Sequence, residues 1–230
     1  MAILVLPLLW LNQSASHDWG GDFAMYIIQA KNLVQGIPQS DTGYIYNPEF
    51  ARNGPANYPI GYPILLSPIY AIWGNNMAAL SLFQSILAMV YGLTFFAFLK
   101  RHFTWVTSTL IVLILIYNPW FLYFKRELMS DIPFAILVLL FLMALRSKQK
   151  PWLIGLLAMM MILFRGIGWF VLPAVILPEL INSIQNVDQR PKLWRVLKIY
   201  TVVTIGVFVI NRVLFDLPMS TQSYSDQLIP

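Results

Sequence analysis

Long apolar runs occur along most of the chain, and they predict membrane helices. The runs are continuous rather than alternating, which favours helices over the strands of a membrane barrel. They cover residues 77–99, 104–124, 131–146, 152–164, 169–181 and 196–215. We therefore predict an all-α protein, a polytopic transmembrane helix bundle. Residues 1–11 are also apolar but fall short of the about 20 residues that a crossing needs, and we interpret them as the end of a helix that begins before Met1.

Two of the runs are short and flank Arg165-Gly166-Ile167-Gly168. We interpret residues 152–181 as a hairpin of two short helices with Arg165 at its turn. The alternative is a single crossing that places Arg165 at mid-membrane. We favour the hairpin because a single crossing would move the following loop, with its four basic residues, to the outer side of the membrane.

The polar segment 12–76 is predicted to form the first outer loop and to contain a short amphipathic helix. Apolar residues recur there at helical spacing, and three amides face the other way: Gln29, Asn32 and Gln35. A helix of this kind lies on the membrane surface. We expect the proline-containing run at 60–74 to lie at the interface as well, without crossing.

Composition supports the membrane class. Charged residues make up 11% of the 230 residues and hydrophobic residues 58%, with a mean hydropathy of +0.66, whereas a soluble domain has about 25% charged residues. We expect residues 1–230 to form one membrane domain, a fragment or a reduced version of a larger one. The chain has no cysteine, which excludes disulfides, a thiolate nucleophile and a cysteine metal site.

Basic and acidic residues are separated along the chain, and this separation predicts an orientation. Most of the 15 basic residues fall in three short loops: Lys100, Arg101, Arg146, Lys148, Lys150, Arg190, Lys192, Arg195 and Lys198. Most of the ten acidic residues fall elsewhere: Asp18, Asp22, Asp41, Glu49, Glu127, Asp131, Asp216 and Asp226. Positively charged loops stay in the cytoplasm. We therefore expect a multi-pass protein of the plasma (inner) membrane with its acidic loops on the outer, periplasmic face, and we attribute the basic excess to orientation rather than to nucleic acid.

Four stretches occur in the order found in a known family. They are Asp22–Tyr26 with Gln29–Leu33, Tyr58–Leu66, Asn118–Phe121 with Ser130–Phe134, and Phe164–Gly168. Together they resemble the outer loops of GT-C membrane glycosyltransferases, in particular the protein-O-mannosyltransferase and aminoarabinose-transferase group, over residues 1–215. The resemblance implies transfer of a sugar from a polyprenyl-phosphate carrier to a lipid, glycan or protein acceptor, in an active site on the outer, periplasmic face.

The resemblance also implies catalytic carboxylates. Asp22 matches the family's catalytic acidic position, where a carboxylate takes the acceptor's proton. Asp131 matches the Asp-x-Pro of the second outer loop, and Glu127, near it in sequence, is a third candidate. Asp22 and Asp131 also stand where an aspartate would cap a helix, which is the alternative role for both.

Donor binding needs positive charge, or a metal, at the carrier phosphate. Arg165 is the main phosphate candidate. Further substrate-binding candidates are Lys125, Arg126, Asp18 and Tyr58. The aminoarabinose-transferase pattern has a lysine just before its proline pair, and Tyr58-Pro59-Ile60 has none, so the phosphate must be held elsewhere or the donor differs. No cofactor is assigned. A divalent metal is the alternative, with His17 as a candidate ligand or a solvated loop residue.

Two other classes stay open. A transporter or flippase would also carry charges at membrane depth and broken helices, although it would usually show inverted repeats, which this sequence lacks. A non-catalytic membrane assembly partner would not need Asp22.

Overall fold

The computed structural model describes residues 1–13, 22–39, 41–43, 58–146, 150–185, 188 and 190–215, with the backbone alone at Asp22. Every regular element within these residues is a helix, which confirms the all-α prediction. The helices are α1 Ala2–Val5, α2 Asp22–Gln35, α3 Gly61–Trp73, α4 Met77–Leu99, α5 Trp105–Ile116, α6 Pro119–Arg126, α7 Asp131–Arg146, α8 Pro151–Phe164, α9 Val171–Gln185 and α10 Arg190–Phe208. Short 3-10 helices follow α1 and α8, at Leu6–Leu9 and Gly166–Phe170, and a π-helical turn, Val209–Leu214, continues α10.

Three described helical segments are long and apolar enough to cross a membrane: Met77–Leu99, Gly166–Gln185 and Arg190–Leu214. A fourth crossing results if α5 and α6 are counted as one bent span. α7 and α8 have 16 and 14 residues, fewer than the about 20 of a full crossing. Most predicted runs therefore coincide with helices, while the number that crosses a membrane stays a prediction.

The run predicted as a span over 104–124 consists of two helices, α5 and α6, which are bent by 62°. The Asn118 Oδ1 accepts a hydrogen bond from the Trp120 N–H at 2.9 Å, and Pro119 is the first residue of α6. A proline disfavours helical backbone at the residue before it and suits the first turn of a new helix. Asn118-Pro119 thus ends one helix and begins the next.

α2 forms where the amphipathic helix was predicted, and it packs against α3. Its polar side is covered as well, since Gln29 and Asn32 are both buried. Gln29 exchanges two hydrogen bonds with the Tyr58 backbone, at 3.0 and 3.2 Å. Asn32 Nδ2 donates to the Pro38 and Asp41 carbonyls at 3.2 and 2.7 Å. The backbone that follows the helix therefore uses two of the amides that the sequence places on its polar side.

α8 and α9 are oriented relative to each other as in the predicted hairpin. The beginning of α8 at Pro151 and the second half of α9 at Glu179 line the same cavity, so the two helices run in opposite directions. Gly168 in the turn lies directly against α8, where a Cβ would come within 2.5 Å of the Met161 carbonyl oxygen. Glycine is therefore required for so close a turn.

We expect Gly168→Ala to lower the free energy of unfolding by about 1–3 kcal/mol, the usual cost of overpacking, because the new methyl would meet backbone atoms. Gly206→Ala in α10 is the matched control, since its Cβ would meet the flexible Met159 side chain, with the sulfur at 3.2 Å. The measurement is unfolding of the detergent-solubilised protein. Wild-type stability of the Gly168→Ala variant would contradict this packing.

Candidate functional site

An ion pair joins the beginning of α7 to the turn after α8. Arg165 Nη1 lies 2.5 Å from Asp131 Oδ2, and the two side chains remain accessible, with 33% and 53% of their surfaces exposed. α7 begins at Asp131, and α8 ends at Phe164, one residue before the arginine. The ends of two helices therefore bring Asp131 and Arg165 together.

Ser130 connects this ion pair to α2. Its hydroxyl lies 2.9 Å from the Tyr26 hydroxyl, and Arg165 Nη1 donates to it at 3.4 Å. α2 begins at Asp22, one helical turn before Tyr26, and residues four apart share a helix face. The beginning of α2 is thus brought to the same end of the helices as Asp131. The Asp22 side chain lies outside what the structure describes.

Tyr26, Tyr58 and Tyr62 form a buried tyrosine cluster. The Tyr26 ring centroid lies 5.0 Å from that of Tyr58 and 4.9 Å from that of Tyr62. Burial, with smaller contributions from Tyr26 and Asp131, raises the pKa of Tyr62 well above its ordinary value. Its phenol therefore stays protonated and donates to Gln84 Oε1 at 2.7 Å. Tyr58, predicted as a substrate contact, packs within this cluster.

The end of α6 and the segment that leads from it to α7 are attached to two consecutive residues of α4. Gln84 Nε2 donates to the Met129 carbonyl at 3.0 Å, and Lys125 Nζ donates to Ser85 Oγ at 2.9 Å. Because this segment leads directly into α7, its attachment fixes where Asp131 begins that helix.

Lys125 is a buried cation. Its side chain is fully buried, and Ser85 Oγ, its hydrogen-bond acceptor, also accepts from Gln13 Nε2 at 2.7 Å. Gln13 Oε1 in turn accepts from Ser81 Oγ at 2.7 Å. Within the described ranges, no carboxylate lies within 4.0 Å of Lys125 Nζ. The pattern of the sequence does not reveal this network, since serine and glutamine carry no charge and occur singly beside apolar runs.

Glu127 and Arg126 pair with each other. Glu127 is buried, and its Oε1 lies 3.0 Å from Arg126 Nε. The Arg126 guanidinium also lies over the Tyr123 ring, 4.7 Å from its centroid. To accept a proton, Glu127 would therefore have to use a carboxylate that is already paired with Arg126.

Two sequence candidates, His17 and Asp18, lie outside the described residues. Across the part of the chain that the structure describes, no group of three or more His, Asp or Glu side chains is arranged to hold a metal ion. The described site thus offers an anion the accessible guanidinium of Arg165.

Comparisons of this chain with protein-family models, with curated proteins and with solved structures find no match. What the site can do chemically therefore follows from its own groups. These are an accessible carboxylate and guanidinium, two linked hydroxyls and a buried ammonium.

We expect Asp131→Asn to change the free energy of unfolding by at most about 1 kcal/mol, because exposed ion pairs contribute little and asparagine keeps the size of aspartate. Tyr62→Phe should cost more, about 1–3 kcal/mol, because it leaves the buried Gln84 Oε1 without its donor. Denaturant unfolding of both variants in detergent measures the difference. A larger loss from Asp131→Asn than from Tyr62→Phe would mean that the ion pair is mainly structural.

Proposed function

We propose that the protein is a membrane glycosyltransferase that moves a sugar from a polyprenyl-phosphate donor to an acceptor at the outer face of the membrane. The observation that carries this proposal is the accessible Asp131–Arg165 pair beside Ser130, to which Tyr26 ties the helix that begins at Asp22. Sugar transfer from a phosphate needs a carboxylate for the acceptor's proton and a cation for the leaving phosphate. Both kinds of group occur together here.

Each charged group has a role in this proposal. The acceptor hydroxyl gives its proton to Asp22 as its oxygen bonds to the sugar's anomeric carbon. The bond from that carbon to the phosphate oxygen breaks, and the phosphate leaves with the electron pair. Arg165 binds the phosphate, since a guanidinium forms two parallel hydrogen bonds to such a group. Asp131 orients Arg165 before the donor arrives.

Lys125 supports the same step through its field. A buried charge is screened much less than a charge in water, so an ammonium held by Ser85 stabilises negative charge that develops nearby. Tyr58 and the other tyrosines of the cluster hold α2 and α3 together, and Arg126 and Glu127 pair with each other at the end of α6.

The charge distribution supports placing this site on the outer side. Arg146 contacts His102, and Arg101 donates to the Met143 carbonyl at 3.2 Å, so the loops after α4 and α7 lie at one end of the helices. α7 runs from Asp131 to Arg146, which puts the ion pair at the other end. The positive-inside rule then makes the basic end cytoplasmic in a multi-pass protein of the plasma membrane.

The orientation is tested by cysteine labelling, for which the cysteine-free chain is well suited. We expect Asp41→Cys to react with an impermeant thiol reagent in intact cells and Lys150→Cys to react only after the membrane is opened. Both positions are exposed, so a lack of labelling reflects sidedness. Labelling of Lys150→Cys alone in intact cells would reverse the proposed orientation.

We expect Asp22→Asn to lower sugar transfer by about 10²–10⁴-fold, the usual contribution of a positioned base, because asparagine keeps the capping ability of aspartate but not its basicity. Arg165→Lys should chiefly weaken donor binding, because lysine lacks the two-pronged geometry. The assay measures transfer of labelled sugar from a polyprenyl-phosphate donor in membranes, at equal expression.

Asp41→Asn is the matched control for the Asp22 variant, since it removes a carboxylate from the same predicted outer loop and is exposed. It should transfer sugar at the wild-type rate. Wild-type activity of Asp22→Asn would remove this residue from the mechanism and favour the non-catalytic assembly partner. Movement of the lipid donor across vesicle membranes without sugar transfer would favour a flippase.

A further inference from the structure

A second site lies at the basic end of the helices, and it does not depend on the proposed transferase activity. α8, α9 and α10 enclose a cavity of about 540 Å³ together with Leu145 of α7, within the range of about 300–1,000 Å³ that is usual for ligand sites. Its walls are largely apolar, and its charged groups are Glu179, Lys192 and Arg195.

Two polar atoms of this cavity have no hydrogen-bond partner among the described residues: Glu179 Oε2 and the Tyr200 hydroxyl oxygen. Tyr200 is only 4% exposed, and leaving a buried hydroxyl unbonded is unfavourable. The other oxygen of Glu179 is held by Lys192 Nζ at 2.7 Å. One acceptor and one hydroxyl therefore remain for a ligand.

α10 presents its groups to the cavity in a definite order. The lining residues follow the spacing of one helix face: Lys192, Arg195, Val196, Ile199 and Tyr200. The two cations come first and are exposed, and Tyr200 follows Arg195 by five residues, about 7.5 Å along the helix. The cavity thus has a charged mouth and an apolar interior, into which Tyr200 brings one hydroxyl.

We propose that this cavity binds a glycerophospholipid with a primary ammonium headgroup, phosphatidylethanolamine. The phosphodiester contacts Lys192 and Arg195, and the ammonium donates to Glu179 Oε2. The Tyr200 hydroxyl donates to the ester carbonyl that follows the phosphate, and the acyl chain fills the apolar depth. Basic pockets between membrane helices are suited to lipid headgroups in this way.

Native mass spectrometry of the whole chain in detergent tests the proposal with three probes. Phosphatidylethanolamine should bind about tenfold more tightly than phosphatidylcholine, whose quaternary ammonium cannot donate a hydrogen bond to Glu179. Glycerophosphoethanolamine, which has the headgroup without acyl chains, should bind on the order of 100-fold more weakly than the lipid. This third probe separates a lipid from a soluble phosphodiester.

Variants locate the site. Arg195→Gln should weaken phosphatidylethanolamine binding about tenfold and Tyr200→Phe about threefold, the usual effects of losing a charged and a neutral hydrogen bond. Lys198→Gln is the matched control, because it removes the same charge from the same helix but does not line this cavity. It should bind the lipid as the wild type does.

Three outcomes would overturn the proposal. They are equal affinity for phosphatidylethanolamine and phosphatidylcholine, equal affinity for the lipid and its soluble headgroup, and equal losses in Arg195→Gln and Lys198→Gln. Tyr200→Phe keeps the buried ring, so it retains the fold, and wild-type binding by this variant would exclude the ester contact.

Discussion

The contact between Arg165 and Asp131 brings the turn after α8 to the beginning of α7, and the candidate site is arranged around it. The pair is half open to its surroundings, so it adds little to stability. Its geometry is held instead by buried polar contacts, in which Tyr62 bonds to Gln84 and Gln84 bonds to the backbone just before Asp131. The groups that are accessible for chemistry are therefore different from the groups that position them. In the proposed function, this lets Arg165 exchange Asp131 for an entering anion.

The two ends of the helices differ in what their charges do. At the end with Asp131, a cation and a carboxylate lie in the open beside hydroxyl groups. At the other end, Lys192 holds Glu179 beside a cavity with apolar depth. Short basic loops fix the orientation of a membrane protein, and residues placed there for orientation are also available for headgroups. One feature of the sequence, its separation of basic from acidic loops, thus underlies both proposed sites.

The sequence predicts the helices well and the polar contacts poorly, for a physical reason. Apolar runs indicate burial directly, and α4 matches its predicted run at both ends. The hairpin was predicted from the position of the basic loop that follows it. The bend at Asn118-Pro119 was missed because both flanking helices are apolar and the run reads as continuous. The burial of Gln29 and Asn32 was missed because their partners are backbone groups, which leave no trace in the residue pattern. Asp131 and Arg165 could be selected from the sequence because both stand at the ends of predicted apolar runs.

Lys125 shows why the remaining part of the site needed the structure. At the end of an apolar helix, a lysine is expected to extend its ammonium to the membrane surface, yet this one points inward to Ser85 and is fully buried. Burying an ammonium is unfavourable unless it is paired, and among the described residues its neighbours are uncharged amides and hydroxyls that solvate it without neutralising it. Hydroxyl and amide oxygens take the place of water around this ammonium, and a charge in so poorly screened an interior is felt over a longer distance than a charge in water.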